Sequence, residues 1–269
     1  KFMNDKCSII YLCLQMRVFK LLIVAMILLV GSLPSTAQIS LRDSSVTIPM
    51  AYMGYSHHFT AADMADRFGA SSFLSPGFQV KTASQWFFGA EAGFILGGNF
   101  KPGFSIFDEW INSNGNIING DGVPAVVALF ERGLIFTGKF GRLFPLSKKN
   151  PNSGLLVSVS AGYLQHRLKI EVENKSVPQL KGDYARGYDR LTSGFTIGQS
   201  VGYLFIGKRR LLNFYFGLEV YEAFTKSRRE YVFDLMGPEE GQRLDILIGP
   251  KVTWIIPFYK RAPEEYYFY

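Results

Sequence analysis

The residues best suited to catalysis form a short cluster near position 60. His57 and His58 precede Asp63 and Asp66, and a carboxylate that orients a histidine is the arrangement of a general base. The chain contains only three histidines, and no serine accompanies this cluster in the strand-turn-helix context of a nucleophile elbow. We therefore interpret the four residues as solvated positions on a rim, with a rim hydrolase that uses His58 and Asp63 as an alternative.

A run of Asn, Gly and Asp at positions 112–122 offers a second candidate, for calcium. The run lacks the number of carboxylates that a calcium loop carries, so an ordinary loop is the favoured interpretation. The sequence shows no phosphate loop, dinucleotide fingerprint or zinc-ligand spacing. It predicts no metal, no cofactor and no enzyme activity.

Charged residues interrupt the polar faces of several segments with alternating hydrophobicity. If these segments are strands of a narrow barrel, such residues point into the lumen, where an unpaired charge is costly. The sequence therefore predicts a lumen ion-pair network, and the alternative is a narrow ion-selective pore. The predicted members are Lys81, Glu91, Lys139, Glu219 and Lys251.

Alternation with a period of two is clearest at Leu211–Tyr221 and again at Leu244–Ile256, where apolar residues fall on one face. The same pattern elsewhere gives eight strands in all. The other six are predicted at Thr47–Phe59, Pro76–Ala83, Trp86–Gly98, Gly133–Pro145, Gly154–Ile170 and Phe195–Phe205.

Short and long connections alternate along these strands. The short ones are 83–85, 146–153 and 207–210, and the long ones are 60–74, 99–132, 171–190 and 226–243. Short periplasmic turns with longer extracellular loops are typical of outer-membrane barrels. The sequence thus predicts an all-β fold, an eight-stranded antiparallel transmembrane β-barrel in the outer membrane, and a soluble β-sandwich is the alternative.

The N-terminal residues predict export. Met16 to Lys20 form a basic segment, Leu21 to Val30 an apolar one, and Ser35 to Ala37 a small-residue cleavage site, so we expect 1–37 to comprise an over-extended start and a cleaved signal peptide. Both cysteines lie there, and removal of four basic residues and one acidic residue lowers the net charge from +7 to +4. The expected organisation is a barrel over 38–259 and a periplasmic tail over 260–269.

Basic residues concentrate at the connections. Those assigned to the periplasmic rim suggest docking of an acidic partner, with ordinary solvated turns as the alternative; they are Lys148, Lys149, Lys208, Arg209, Arg210, Lys260 and Arg261. Those assigned to the extracellular side suggest contact with lipopolysaccharide phosphates; they are Arg186, Arg190, Lys226, Arg228 and Arg229.

Three segments, 189–195, 226–229 and 254–261, resemble a family of small outer-membrane barrels of Bacteroidota. Within that family the chain is similar to the barrel subunit of the type IX secretion apparatus. The resemblance implies a non-enzymatic docking subunit, surrounded by outer-membrane lipid and attached to a periplasmic ring of the lipoprotein PorK and of PorN, without nucleic acid. The alternative function is a narrow pore or small-solute channel.

Overall fold

The structure is a computed structural model. It describes residues 45–101, 106–107, 111–114, 116–148, 150–172, 177, 180, 182, 184–207 and 211–258. The predicted leader (1–37) and tail (260–269) lie outside the described residues. No helix within the described ranges has the length and apolar character needed to cross a membrane.

Eight long strands close into an antiparallel barrel, which confirms the predicted fold class. Around the barrel the strand order is β1-β10-β9-β8-β7-β6-β3-β2, and β4 and β5 form a separate two-stranded sheet in the third connection. The strands are β1 (Ile48–Ala62), β2 (Ser71–Lys81), β3 (Trp86–Gly97), β4 (Ile117–Ile118), β5 (Pro124–Ala125), β6 (Val127–Pro145), β7 (Gly154–Val172), β8 (Thr192–Ile206), β9 (Asn213–Ser227) and β10 (Gln242–Pro257).

The outer wall of the barrel is apolar. Large hydrophobic side chains alternate along the strands and remain exposed, with Phe88 51% and Phe216 53% accessible. A closed barrel leaves no strand edge unpaired, so its backbone can lie in hydrocarbon. The chain is therefore an outer-membrane β-barrel. Other members of the exposed band are Met53, Phe136, Phe140, Val159, Phe195 and Leu218.

Pro76 lies inside β2 and Pro250 lies inside β10, whereas the sequence analysis placed Pro76 at the start of its strand. β2 begins at Ser71 and not at Pro76, and its ladder with β3 passes from Leu74 to Gly77. Similarly, the ladder between β1 and β10 omits Pro250. Because proline has no N–H to donate, each one leaves a gap on one side of its strand while the pairing on the other side continues.

The extracellular half of the lumen is a hydrophobic core, a feature that the sequence analysis did not predict. Large apolar side chains from β2, β3, β6, β7 and β10 point inward there and fill it. The buried strand residues are Phe73, Ile95, Ile135, Leu164, Leu168 and Leu247. Met64, which lies in a 3-10 helix at Asp63–Asp66, and Phe68, which follows that helix, cover this core from the β1–β2 connection.

Close approach of the strands requires glycine at specific positions. A Cβ added at Gly162 would collide with the carbonyl oxygen of Phe136 on the neighbouring strand. Beside it, a Cβ at Gly138 would meet only the Ala161 carbonyl oxygen at 3.9 Å, an ordinary contact.

We expect Gly162→Ala to lower the free energy of unfolding by about 1–3 kcal/mol, since the obstacle is backbone that cannot rotate away. Gly138→Ala is the matched control and should be nearly neutral. Urea titration of the barrel in detergent, followed by heat-modifiable gel migration, measures both. Equal stability of the two variants would contradict this account of the barrel wall.

Candidate functional site

Four charged side chains meet at the middle of the lumen. Lys251 Nζ lies 2.8 Å from Glu91 Oε2 and 2.9 Å from Glu219 Oε2, and Lys139 Nζ lies 2.7 Å from Glu91 Oε2. We call Glu91, Lys139, Glu219 and Lys251 the lumen network. Its two ammonium groups balance its two carboxylates, which is the condition for keeping charges in a medium of low dielectric constant.

Neutral donors complete the coordination of the two carboxylates. Tyr221 Oη donates to Glu91 Oε1 at 2.9 Å, and Ser56 Oγ donates to Glu219 Oε1 at 2.5 Å. His58 Nε2 lies 3.0 Å from the same Glu219 oxygen. The sequence analysis did not include these three residues in the network, because alternation gives the face that a residue takes but not which polar neighbours contact the carboxylates.

Strand register makes room for the network. Each of its charged residues has a small residue directly beside it on both neighbouring strands. Lys251 is flanked by Ser56 and Gly217. The corresponding neighbours are Gly77 and Thr137 for Glu91, Gly89 and Ser160 for Lys139, and Ser200 and Gly249 for Glu219. Since an eight-stranded lumen is only just wide enough for side chains, long charged groups fit only beside small ones.

Lys81 does not belong to this network, so its predicted place there is wrong. It lies at the periplasmic end of β2, where Nζ donates to Asn152 Oδ1 at 2.9 Å and to Ser45 Oγ at 3.0 Å. The reason is the β6–β7 turn, which folds beneath the barrel and buries Asn152. Backbone and amide oxygens then satisfy the ammonium in place of a carboxylate.

The same turn reaches across the periplasmic mouth of the barrel, where Asn152 Oδ1 accepts Val46 N–H at 3.3 Å and the Pro151 carbonyl accepts Gln85 Nε2 at 2.9 Å. Asn150 Nδ2 donates to the Ile206 carbonyl at 2.9 Å, and Ile206 N donates to Ser153 Oγ at 2.8 Å. Between this turn and the lumen network lies a cavity of about 30 Å³, lined by residues that include Tyr52, Tyr215 and Thr253. A cavity of that size holds about one water molecule. The described side chains thus fill the lumen from the turn to the hydrophobic core.

Ion pairs join the connections at the extracellular mouth. Arg67 pairs with Glu239, Arg190 pairs with Asp234, and Arg243 Nη1 lies 3.5 Å from Glu239 Oε1. These side chains come from the connections that follow β1, β7 and β9 and from the start of β10. The connections are therefore tied to one another across the top of the barrel.

The alternative His58–Asp63 pair does not form, and the favoured interpretation of His58 as a solvated rim residue is wrong as well, since His58 is buried. His58 is buried in the lumen against Glu219, whereas Asp63 Oδ2 accepts the backbone N–H of Leu244 at 2.7 Å. The two lie apart because His58 points inward from β1, while Asp63 begins the 3-10 helix that follows the strand. The sequence Gly198 to Gly202 has the spacing of a nucleophile elbow, but it lies within β8, where Ser200 Oγ is 2.7 Å from Ser158 Oγ.

The Asn-rich run folds as turns. Asn112 Oδ1 accepts the N–H groups of Asn114 and Asn116, and Asn119 Oδ1 accepts those of Asp121 and Val123. Asparagine oxygens used in this way stabilise a loop. Within the described ranges, no group of three or more His, Cys, Asp or Glu residues has the geometry of a metal site.

The predicted lipopolysaccharide contacts all lie on the extracellular side, in different surroundings. Lys226 is exposed, while Arg228 Nε donates to Ser193 Oγ at 2.7 Å. Arg229 binds Asp189, with Nε 2.7 Å from Oδ1, and this hydrogen bond raises the pKa of the guanidinium. Arg190 takes part in the ion pairs at the mouth and Arg186 is exposed.

Of the predicted periplasmic rim, Lys148 is described and exposed; the others (Lys149, Lys208, Arg209, Arg210, Lys260 and Arg261) lie outside the described residues.

Closed strand topology, an apolar outer wall and a charged lumen together define a small outer-membrane β-barrel. No family model and no curated protein matches the sequence. Solved structures similar to this chain are those of Neisserial surface protein A (9% identity, 78% of this chain and 97% of that chain, TM-score 0.39), the attachment invasion locus protein Ail of Yersinia pestis (9%, 78% and 99%, 0.37) and the outer membrane protein OprG of Pseudomonas aeruginosa (10%, 81% and 98%, 0.36). At these identities and TM-scores the likeness carries no information on what this chain binds.

Lys251→Met should lower the free energy of unfolding by about 3–5 kcal/mol, because it leaves Glu91 and Glu219 buried with one ammonium between them. Adding Glu219→Gln restores the balance of charge, so the double variant should recover part of the loss. Urea titration in detergent measures both, and Lys148→Met on the exposed turn is the control. A single variant as stable as the native chain would show that the lumen network does not hold the barrel together.

Proposed function

We propose that this chain is a closed, non-conducting barrel that acts as a structural and docking subunit in the outer membrane. The observation that carries the proposal is the filled lumen: a hydrogen-bonded turn, the lumen network and a hydrophobic core succeed one another along the axis. A channel requires a path that ions or solutes can follow, and a cavity of about 30 Å³ does not supply one. Because the lumen offers no path, we assign the function of the protein to its periplasmic and extracellular surfaces.

The periplasmic surface is the proposed docking face. Its connections are short, and its basic residues are grouped in sequence at 148–149, 208–210 and 260–261. A cluster of like charge attracts a partner of opposite charge and speeds its association. We infer an acidic periplasmic protein as the partner.

The resemblance to small Bacteroidota barrels suggests which assembly this is. The similarity extends to PorG of the type IX secretion apparatus, and by that analogy the partners are the ring proteins PorK and PorN. A barrel with a rigid, filled interior suits such a role, since an anchor has to transmit force and hold position without leaking.

Neutralising the periplasmic basic group should abolish partner capture. We expect Lys208→Gln/Arg209→Gln/Arg210→Gln to lose the periplasmic proteins that co-purify with the native barrel in mild detergent, as measured by quantitative mass spectrometry. The matched control is Lys169→Gln/Arg186→Gln/Lys226→Gln, which removes the same charge from the extracellular end. Equal recovery of partners with both triple variants would refute docking through this rim.

Purified barrel in planar bilayers should show no single-channel steps. The pore hypothesis instead predicts stepwise conductance whose ion selectivity changes when lumen charge is altered, for which Lys139→Gln is the diagnostic variant. Conductance from the native chain that shifts selectivity in this variant would replace the docking proposal with the channel.

A further inference from the structure

Three arginines from different parts of the chain converge on one carboxylate oxygen at the extracellular mouth. Glu239 Oε1 contacts Arg67, lies 3.5 Å from Arg243 Nη1 and lies 3.9 Å from Arg190 Nη1. Arg67 follows β1, Arg190 precedes β8, and Arg243 belongs to β10. All four side chains are largely buried, between 6% and 15% exposed, so water screens these charges weakly.

The carboxylate of Glu239 leaves part of the hydrogen-bonding capacity of this site unused. Its second oxygen, Glu239 Oε2, is buried without a hydrogen-bond partner in the described part of the chain, and so is Arg243 Nε. Burial, followed by the charges of Arg243 and Arg190, lowers the pKa of Arg67 to about 9, and Asp245 and Asp234 only partly oppose this. The three guanidinium groups therefore repel one another around a carboxylate that cannot satisfy them all.

Among the described residues, Glu239 is the one carboxylate in an ion pair with Arg67. Asp234 pairs with Arg190, and Asp245 Oδ1 lies 3.8 Å from Arg243 Nη2. Asp63 accepts Leu244 N–H through its side chain, and its backbone carbonyl accepts Arg243 Nη2 at 2.6 Å. When Glu239 leaves, Arg67 therefore loses its acidic partner, while Arg190 and Arg243 each keep one.

Glu239 lies on a short segment that begins with Pro238 and is flanked by two glycines. Residues 238–240 have no regular secondary structure and lie between Gly237 and Gly241, and Gly241 adopts φ +102°. Glycine permits such a backbone at no steric cost. Rotation about Gly241 would allow the Glu239 side chain to leave the site while β10, which begins at Gln242, keeps its pairing.

We propose that Arg67, Arg190 and Arg243 form a binding site for a phosphate-bearing anion, which Glu239 occupies as an internal substitute until the anion displaces it. A phosphate group offers three or more acceptor oxygens and up to two negative charges, so it can accept hydrogen bonds from three guanidinium groups more fully than a carboxylate with two oxygens and one charge. The anion is either a soluble phosphate or the phosphorylated headgroup of a lipid at the outer surface. This site lies apart from the periplasmic docking face.

The test compares native protein, Glu239→Gln and Glu240→Gln by isothermal titration calorimetry. Glu240 is the exposed neighbour in the same segment, so its variant removes the same charge outside the site. One arm uses inorganic pyrophosphate, and the other uses detergent micelles containing diphosphoryl lipid A, with dephosphorylated lipid A as the blank. We expect Glu239→Gln to bind at least about tenfold more tightly than the native chain, since it no longer competes as an anion. Glu240→Gln should bind as the native chain does, and adding Arg243→Gln to Glu239→Gln should remove the gain.

A gain in both arms identifies a site open to soluble phosphates, and a gain with lipid A alone identifies a lipid headgroup; both support the proposal. No gain in either arm, or the same gain from Glu240→Gln, overturns it.

Hydrogen exchange on the native chain provides a readout that needs no variant. Saturating pyrophosphate or lipid A should accelerate exchange in 237–241 as Glu239 leaves, and unchanged exchange with both ligands would overturn the displacement step.

Discussion

The contact of Lys251 with two carboxylates is the constraint on which the barrel depends. Lys251 reaches Glu91 from one side and Glu219 from the other, inside a wall surrounded by lipid. No water reservoir is available to an unpaired charge there, so the strands that carry these residues must keep one register. A slip of one residue would turn Lys251 toward hydrocarbon and place an apolar neighbour in the lumen. The lumen network therefore joins β3 and β10, two strands that are far apart in sequence and do not pair with each other.

Hydrophobic packing takes over where the charges end. Above the lumen network, Phe73, Ile95 and Ile135 fill the extracellular half, and Met64 and Phe68 close it from the first connection. At this height the barrel is apolar on both sides of its wall. Lipid-facing side chains lie outside, and a hydrophobic core like that of a soluble protein lies inside. Packing of this kind resists deformation, because protein interiors contain few voids.

The alternation of apolar and polar residues predicted the strands, but it carries no information on height along the barrel axis or on how the connections pack. Period two identifies which face a residue takes, so the amino-acid pattern alone assigns Glu91, Lys139, Glu219 and Lys251 to the lumen. It does not give height along the axis, and Lys81 was therefore grouped with residues from which the β6–β7 turn separates it. Nor does it say which connection folds over another. The meeting of Arg67, Arg190 and Arg243 at Glu239 depends on three loops packing together, a long-range arrangement with no local signature.

The two ends of the barrel treat basic charge in opposite ways. At the extracellular end, described arginines are largely used within the protein: Arg190 pairs with Asp234 and Arg229 with Asp189. At the periplasmic end, the β6–β7 turn is held by neutral groups, Asn150 and Ser153, while Lys148 of the same turn stays exposed. A basic side chain that is paired with an acidic side chain of the same protein attracts an external partner weakly, whereas an exposed basic side chain keeps its long-range field. Positive charge offered for protein docking is therefore expected at the periplasmic rim, and the extracellular arginines can act on an external anion only by exchanging an internal one.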